Sequence, residues 1–585
     1  MHSDGLVHRS TRGIHRPLAA ALVMAAGLST PALAASEPTV SWPLTPAADQ
    51  PLPYARTLDF DAQALDALRM FGTVRVMDFV LPDGSMTSAT LSRVDPFAPG
   101  AQIVAGSDKG EVAVDLSDMV MLSGTLDSDP SAKVFISFSA AGVNGLVRSE
   151  SETMVISSGP FGEGHAPVIY SMDDLPQGAI NWRSMPCGLD RLVGRHGATP
   201  NVPVLPGDGG GSTRGAGPCR AVDVAVETDW EYTQIFGGNT TASAAYAATL
   251  FAADSEIYRS EINTRLQISF LRVWSNASDP YVVPDNYDRL FEFRDYWNAN
   301  MGHVQRDLAH FLAGVLGSTG GVAWLEVMCN SDYGYGLSSY LDGFFPYPLQ
   351  NNHPQNWDLV VTSHELGHNF GAPHTHDVGV DGCGNGNCSN ASQGTIMSYC
   401  HTCSGGIQNI KLILHPTLIN GYILPHLASA PCSLGDDGVL ITDQPDDATA
   451  DAGQNAAFSV AAIVTGTPAY QWFKVGSGTP LANDGHYAGV TTATLTINNV
   501  TEADEGSYRV TVTSTCSSES STDAALTVES PCPSDFDGSG FVDIEDYTAF
   551  VLAFEAGTDN ADFDGSGFVD IEDFTAFVLA FESGC

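Results

Sequence analysis

Positive charge is scarce in this sequence of 585 residues. Lysine and arginine together number 24, against 68 aspartates and glutamates, which gives a formal net charge of −44 at pH 7. Nucleic acids and anionic membrane surfaces carry charge of the same sign, so this deficit argues against either of them as a partner. Such an acidic chain suits a protein that binds cations.

Long apolar segments are also few. The strongest candidate, Leu18–Leu28, is too short to span a bilayer comfortably. It follows three arginines and precedes the small-residue sequence Ala32-Leu33-Ala34, a pattern typical of a secretory signal peptide. We therefore expect a secreted protein, extracellular or held at a cell surface, with no membrane span.

The length exceeds what one hydrophobic core usually supports, and the composition changes several times along the chain. These changes indicate a multidomain protein. We predict six segments: a signal peptide (1–34), a β-rich region (35–195), a linker rich in glycine and proline (196–217), an α/β region (218–434), a region of short strands (440–529) and a duplicated C-terminus (532–585).

The spacing of apolar residues predicts individual elements within these segments. Val74–Val80 and Val134–Phe138 carry strand patterns, and Gly142–Gly145 is typical of a turn. Residues 304–313 and 357–370 carry helical patterns. The second of these helices contains the most informative motif in the chain.

Three histidines in this motif have the spacing of metal ligands. His364 and His368 lie four residues apart on the predicted helix, so both imidazoles project from one face and can reach one ion. Gly371 permits a sharp turn that returns His374 as a third ligand. Three protein ligands leave one position of a tetrahedral zinc ion for a water, whose pKa falls from 15.7 toward ~7.

Other residues near the three histidines have supporting roles. Glu365 can accept the water's proton during attack on a peptide carbonyl and pass it to the leaving amine. Met397 lies 23 residues after His374, where a Met-turn follows the extended zinc motif. His376 is a rival ligand, although the spacing from the glycine favours His374, and Asp377 is expected to orient the turn.

The sequences HELGHNFGAPHTHD and IMSYC resemble the adamalysin/reprolysin branch of the metzincin zinc proteases. The resemblance implies a zinc endopeptidase with a mixed five-stranded sheet in residues 218–434, preceded by a β-rich prodomain in residues 35–195. It also implies that GGVAWLEVMC, residues 320–329, is the edge strand that pairs with an extended substrate. The Cys-dense disintegrin region of many animal relatives is missing, so only the protease chemistry is carried over.

Relatives also use a Cys-Gly pair near the end of the prodomain to block zinc, and Cys187-Gly188 has this position. A sulfur donor there would occupy the fourth zinc position and exclude water. The chain has 11 cysteines, so removing Cys187 leaves ten for disulfides. A structural role for Cys187 is the alternative. We expect a latent precursor that is processed between Cys187 and Cys219, while disulfide pairing in the α/β region stays open.

Residues 440–529 resemble an immunoglobulin-like β-sandwich. Trp472 is typical of the strand-C tryptophan, and Tyr508 fits a tyrosine corner. Val510 stands where the usual inter-sheet disulfide would have its second cysteine, so packing must hold this core. A spacer or a binding module is the expected role.

The C-terminus is an internal duplication. A 21-residue segment that begins at Asp535 returns 27 residues later with one substitution. Each copy has oxygen donors at loop positions 1, 3, 5, 9 and 12, a glycine at position 6 and a backbone carbonyl at position 7, as calcium loops require. The predicted calcium ligands are Asp535, Asp537, Ser539, Phe541, Asp543 and Asp546, and then Asp562, Asp564, Ser566, Phe568, Asp570 and Asp573.

Only one helix follows each loop, so the pair resembles dockerin modules more than paired-helix EF-hands. The resemblance implies a small α domain with two calcium ions and a cohesin-like or cell-surface partner. Plain acidic surface loops, or a module for stability alone, are the alternatives. Cys532 and Cys585 flank the repeat and could staple its ends together.

Two functions compete on this evidence. The first is a secreted zinc endopeptidase that hydrolyses proteins or peptides. The second is a calcium-dependent extracellular adhesion or scaffold protein with an inert metalloprotease-like domain. Glu365 favours the enzyme, because inert relatives commonly lose this base.

Overall fold

The computed structural model describes residues 39–584, except for residues 53, 70–72, 150–151, 184–186, 190–191, 193–218, 315–316, 318, 350–353, 433, 435–438, 464–467, 478, 515–517 and 530–531. The predicted signal peptide and linker lie outside the described residues. Among the described helices, none combines the length and apolarity needed to cross a membrane.

The N-terminal region is almost entirely β-structure, as its alternating apolar residues predict. The segments predicted as strands are confirmed as Thr73–Val80 and Lys133–Ser139. The turn predicted at Gly142–Gly145 is wrong, because the chain reverses at residues 140–141 and Gly142, at φ +107°, begins the next strand. Helix Ala62–Arg69 packs nearby. The ten strands described in this sheet are, in spatial order, Thr39–Ser41, Thr73–Val80, Met86–Arg93, Val120–Leu126, Lys133–Ser139, Gly142–Arg148, Thr153–Ser157, Val168–Ser171, Arg56–Phe60 and Leu44–Pro46.

A second sheet carries the metal motif's helix. Five of its strands come from residues 220–338, in the mixed arrangement that was predicted, and hairpin 97–113 of the N-terminal region adds two more. The sheet therefore differs from the expected five strands. Phe97–Ser107 joins it by pairing in parallel with Thr264–Trp274. The seven described strands are, in spatial order, Gly321–Ala323, Tyr335–Ser338, Leu308–Leu312, Arg220–Thr228, Thr264–Trp274, Phe97–Ser107 and Gly110–Ala113.

Residues 304–313 do not form the predicted helix. Leu308–Leu312 is instead a central strand, and all five of its residues are buried. Periodicity alone cannot separate a short apolar strand from a buried helix, which explains the error. The predicted helix 357–370 is confirmed as Asp358–Asn369.

The remaining elements of this region lie around the second sheet. The longest helix, Thr240–Ile262, packs against both the sheet and the motif helix. The α-helices are Trp230–Ile235, Thr240–Ile262, Asn286–Asn300, Asp358–Asn369, Pro416–Leu418 and Leu424–Ala428. Short strand pairs join Asn181–Trp182 to Pro354–Gln355 and Gly394–Thr395 to Ile410–Lys411.

The two sheets share one hydrophobic core across the boundary between the N-terminal and α/β regions. Arg148 of the first sheet forms a buried ion pair with Glu261 of the longest helix, 3.1 Å apart. Ser137 and Thr249 share a buried hydrogen bond of 2.8 Å between their hydroxyls. The N-terminal region is thus integrated with the region that carries the motif.

Residues 440–529 form short strands around Trp472 and Tyr508, both fully buried. The hydroxyl of Tyr508 donates a 2.8 Å hydrogen bond to the backbone carbonyl of Asp504, as the tyrosine corner requires. Phe458 stacks on Tyr508, and Val510 lies buried opposite Trp472. The described strands are Leu440–Asp443, Ala448–Asp451, Ala456–Ser459, Ala461–Ile463, Ala469–Lys474, Tyr487–Ala488, Thr494–Ile497, Gly506–Thr513, Ser518–Ser520 and Ala524–Glu529.

The C-terminal duplication folds as two helices, Ile544–Ala556 and Ile571–Ser583. Each begins at an aspartate N-cap, Asp543 or Asp570, within a capping box. Phe550 and Phe577 occupy equivalent positions in the two copies and stack with ring centroids 4.0 Å apart.

Candidate metal centre

The motif helix and the turn after it bring three imidazoles together. The ring centroids of His364 and His368 lie 4.8 Å apart, and that of His374 lies 5.3 Å and 4.7 Å from them. Gly371 adopts φ +98°, a value that L side chains rarely adopt, and this turn returns the chain toward the helix. All three side chains are buried.

Backbone carbonyls fix the orientation of the two helical imidazoles. Nδ1 of His364 is 2.7 Å from the carbonyl oxygen of Ile396, and Nδ1 of His368 is 2.7 Å from that of Ala372. A carbonyl can only accept, so each Nδ1 carries the proton and each Nε2 keeps its lone pair. Nε2 of His364 and of His374 are buried and have no hydrogen-bond partner within the protein. Buried ring nitrogens that have no hydrogen-bond partner are suited to bind a cation.

Burial also sets the charge of these groups. It lowers the pKa of His364 and His368 well below the ordinary value and lowers that of His374 to about 4. The three imidazoles are therefore neutral at pH 7, which is the form that binds metal ions. Burial raises the pKa of Glu365 well above its ordinary value, so this carboxyl takes up a proton readily.

His376 and Asp377 lie beside the third histidine. The ring of His376 is nearly parallel to that of His374, with centroids 5.2 Å apart, and packs against Gly384, where a β-carbon would overlap it. A carboxylate oxygen of Asp377 lies 3.4 Å from Nδ1 of His374. This contact differs from the expected one, because Asp377 lies beside the ring of His374, whereas the prediction was that it orients the turn.

Glu365 faces the edge strand of the second sheet. Its side chain fills the space that a β-carbon on Gly321 would need, so glycine at 321 is what lets the carboxylate lie against the strand. This strand, Gly321–Ala323, covers only part of the segment 320–329 that was expected to be extended, but it does form the sheet edge. The family resemblance predicted that this segment is the edge strand of the sheet, but no sequence pattern pointed to Gly321 in particular.

Cys187 lies at the same centre. Its Sγ is 3.5 Å from Nε2 of His368 and 3.9 Å from Oε2 of Glu365. Ligand atoms of Cys187 and the three histidines all lie within 4.8 Å of one another. Zn–S and Zn–N bonds of about 2.3 and 2.0 Å at a tetrahedral angle would separate sulfur and nitrogen by about 3.5 Å. The distance between Cys187 and His368 is therefore the one that two ligands of the same tetrahedral ion would have.

The segment around Cys187 pairs with the edge strand. The N–H of Gly188 donates a 2.8 Å hydrogen bond to the carbonyl of Gly321, and Cys187 forms a parallel bridge with the same glycine. The N-terminal region thus occupies backbone positions that an extended substrate would need.

Met397 is fully buried under the motif helix. Its sulfur occupies the space that a β-carbon on Gly367 would fill. The Met397 carbonyl accepts a 3.1 Å hydrogen bond from the N–H of Thr375, directly after the third histidine. Met397 therefore packs against the motif helix at Gly367 and hydrogen-bonds to the residue after His374.

Comparison with known proteins agrees with this geometry. Residues 219–412 match the Reprolysin_5 family, metallo-peptidase family M12, and residues 439–528 match the immunoglobulin I-set domain. The snake venom metalloproteinase TM-1 of Protobothrops mucrosquamatus is 27% identical over 175 residues, which cover 29% of this chain and 79% of the venom protein. The chain contains an M12 metallopeptidase domain and an immunoglobulin-like domain.

Solved structures of immunoglobulin-like domains are similar to a small part of this chain. The tandem Ig repeats of Dlar are 24% identical, cover 16% of this chain with a TM-score of 0.15, and are themselves matched over 49% of their length, about half. The titin M3 domain is 28% identical, covers 16% of this chain with a TM-score of 0.14, and is matched over 96% of its length.

Disulfides fasten the M12 domain around the metal centre. Two of them, Cys383–Cys400 and Cys388–Cys403, join the loop after the third histidine to the segment that follows Met397. A third, Cys329–Cys432, ties the segment after the edge strand to the end of the domain. Cys219 and Cys532 are also disulfide-bonded, and Cys585, the expected partner of Cys532, lies outside the described residues.

The predicted calcium loops bring several of their carboxylates together. Oxygens of Asp535, Asp537 and Asp546 lie within 4.8 Å of one another. Asp546 accepts hydrogen bonds from the N–H groups of Asp537 and Asp543, and the Ser539 hydroxyl donates to the Phe541 carbonyl, 3.3 Å away. The second copy repeats these contacts through Asp564, Ser566, Phe568, Asp570 and Asp573, and one buried oxygen of Asp562 has no hydrogen-bond partner.

Proposed function

We propose that the M12 domain is a secreted zinc-dependent endopeptidase, and that His364, His368 and His374 bind the metal. The observation that carries this proposal is the convergence of three buried, neutral imidazoles beside a buried glutamate. Zinc held there supplies Lewis acidity and lowers the pKa of a water toward about 7. The M12 match and the venom relative support the same reaction class.

Glu365 is the general base in this proposal. Burial disfavours its carboxylate, so the side chain gains a proton easily during attack on the peptide carbonyl and then delivers it to the departing amine. The strand Gly321–Ala323 would hold the substrate backbone beside Glu365, because it is the sheet edge. The competing adhesion or scaffold function gives no role to this buried acid.

The full chain is a latent precursor in this proposal, and Cys187 blocks the metal. The Sγ–Nε2 distance of 3.5 Å to His368 supports ligation, and the Gly188–Gly321 hydrogen bond denies the edge strand to a substrate. Processing in residues 188–218 would separate this segment from the M12 domain. The N-terminal region would then be a prodomain.

The decisive test is digestion of a peptide library by the processed protein. We expect cleavage that stops when a chelator removes the metal and returns when zinc is added back. A processed protein that contains zinc but cleaves no peptide would favour the adhesion or scaffold function.

We also propose that each C-terminal loop binds one calcium ion, through the two predicted ligand sets. The convergence of Asp535, Asp537 and Asp546, and the unpartnered buried oxygen of Asp562, support this. Without a cation these carboxylates repel one another at close range. A cohesin-like or cell-surface partner for this module follows from the dockerin resemblance alone, and pull-down with a cohesin domain in calcium would test it.

A further inference from the structure

Two carboxylates without a part in the proposed reaction lie at the start of the motif helix. Asp358, the first residue of that helix, is fully buried, and the side chain of Asp342 is 7% exposed. Asp358 accepts hydrogen bonds of 2.8 Å from the Tyr246 hydroxyl and 2.9 Å from the N–H of Gly343. Asp342 accepts one from the N–H of Asn356. The two acids are therefore built into the domain as a pair.

The counter-charge to this pair comes from the N-terminal region. Nη2 of Arg183 lies 3.2 Å from Oδ1 of Asp342, and among the described residues it is the one basic group ion-paired with either acid. The Arg183 backbone N–H and its Nε donate to the carbonyls of Gln355 and Pro354, at 2.8 and 3.1 Å. Burial raises the pKa of Asp342, and Arg183 opposes that rise. Removing Arg183 leaves two neighbouring buried acids without a cation, which is unfavourable.

Arg183 lines a cavity that neighbours the one at the metal centre. It precedes Cys187 by four residues, so its backbone lies within about 14 Å of that residue. Trp182 packs on Gly406 and, with Arg183 and His401, lines a cavity of 280 Å³. His401 also lines the cavity at the metal centre. The N-terminal segment that brings Cys187 to the histidines therefore also places Arg183 on Asp342.

We infer that Asp342, supported by Asp358, is a specificity determinant that binds a basic side chain of the substrate in the place of Arg183. The inference rests on the proposed peptidase function. Because the N-terminal segment pairs with the edge strand and brings Cys187 to the histidines, its Arg183 indicates the charge that a substrate side chain beside Asp342 would carry. A guanidinium or ammonium restores the lost counter-charge, whereas a neutral side chain leaves it missing.

The test compares peptides that contain arginine with peptides that contain citrulline. Citrulline has nearly the same shape as arginine but carries no charge. Processed enzyme, separated from its N-terminal region, cleaves peptides in which one or the other is placed at each position around the scissile bond. We expect one position at which arginine raises kcat/KM about 10- to 100-fold, the range for a hydrogen bond to a charged group. Asp342→Asn should reduce this preference to within about twofold, because the amide offers no counter-charge to arginine.

Asp446→Asn is the matched control, because it removes the same charge from an exposed site in the immunoglobulin-like domain. This variant should keep the arginine preference. Equal cleavage of arginine and citrulline peptides at every position by the unmodified enzyme would overturn the inference, as would an undiminished preference in Asp342→Asn. Either result would mean that the Arg183–Asp342 ion pair only holds the N-terminal region against the M12 domain in the precursor.

A binding measurement separates this inference from the proposed reaction and needs no variant enzyme. The peptide of residues 181–189 should bind the processed protein about tenfold or more tightly than its citrulline form, as measured by fluorescence anisotropy. Equal affinities would overturn the assignment of Asp342. Tighter binding of the arginine form, in a protein that cleaves no peptide, would keep this assignment and refute the peptidase function.

Discussion

The sulfur of Met397 occupies the space that a β-carbon on Gly367, the residue before His368, would need. A methyl group at position 367 has no room unless Met397 moves. We expect Gly367→Ala to destabilise the domain by about 1–3 kcal/mol and to lower the affinity for zinc, because the displaced methionine no longer supports the imidazoles. Chemical unfolding and competition with a zinc chelator measure the two effects.

Gly379→Ala provides a control outside the helix. Gly379 also has positive φ, but a β-carbon there meets nothing within 4 Å. It should cost stability through backbone strain and leave zinc affinity unchanged. If both variants bind zinc as tightly as the unmodified protein, the proposed support by Met397 is wrong.

Glu365→Gln should keep the metal and lose the reaction. The ligands and the base are different residues, so the amide removes the proton acceptor while the three imidazoles stay in place. We expect peptide hydrolysis to fall by at least about 100-fold at unchanged zinc content. Elemental analysis and a fluorogenic peptide assay give the two readings, and comparable turnover with full zinc occupancy would exclude Glu365 as the base.

Cys187→Ala should give the uncleaved chain measurable activity. Loss of the sulfur opens the position next to Nε2 of His368 while the linker stays intact. The readout is peptide hydrolysis by the purified precursor, with its length checked by mass spectrometry. The double variant with Glu365→Gln should stay inactive, which assigns the new activity to this site. An inactive single variant would mean either that the Gly188–Gly321 pairing is enough to exclude substrate or that Cys187 has a structural role.

The C-terminal repeats should bind two calcium ions and gain helix when they do. Each loop gathers four aspartates, and the small core around Phe550 and Phe577 is too limited to offset their repulsion. In the full chain, calorimetry should count two sites. Asp535→Asn and Asp562→Asn should each remove one, and magnesium should substitute poorly. Two sites retained in both variants, or none in the unmodified chain, would contradict the predicted loops.

His310 should make the M12 domain sensitive to acid. It is buried on strand Leu308–Leu312, 2.9 Å from the hydroxyl of Ser338, and burial lowers its pKa to about 3. The unfolded chain takes up this proton near pH 6.5, so stability is complete above that pH and falls by about 1.4 kcal/mol per unit toward pH 3. His310→Gln removes this loss.

Urea unfolding at pH 7.5 and 4.5 measures the His310 effect. The unmodified protein should lose about 3 kcal/mol more than His310→Gln between these values. Burial raises the pKa of Asp229 to about 7, so this residue stabilises the fold as the pH falls. It does so equally in both proteins, and its contribution therefore cancels when their losses of stability are compared. Equal losses would show that His310 titrates normally in the fold.

The sequence predicts the parts of this protein that depend on local spacing. His364 and His368 share a face because four residues make about one helical turn, and the tyrosine corner at Tyr508 is likewise a local pattern. The strand Leu308–Leu312 was misassigned because its apolar run has no period that favours either structure. This segment is a strand because it lies in the centre of the sheet, and the sequence alone does not reveal that position.

Contacts between distant segments are harder to predict. Cys187 was placed near the metal by resemblance alone, since 181 residues separate it from His368. The pairing of Phe97–Ser107 with Thr264–Trp274 depends on backbone hydrogen bonds, which any side chain permits. The ion pair between Arg183 and Asp342 also depends on the folded path of the chain and has no local signature.

The hairpin 97–113 joins the N-terminal region to the sheet of the M12 domain through backbone hydrogen bonds. Its strand Phe97–Ser107 hydrogen-bonds in parallel with Thr264–Trp274. A proteolytic cut in the linker breaks one peptide bond but none of these interstrand hydrogen bonds. Under the proposed processing, these hydrogen bonds would keep the N-terminal region attached to the M12 domain, so activity would begin only after the two strands separate.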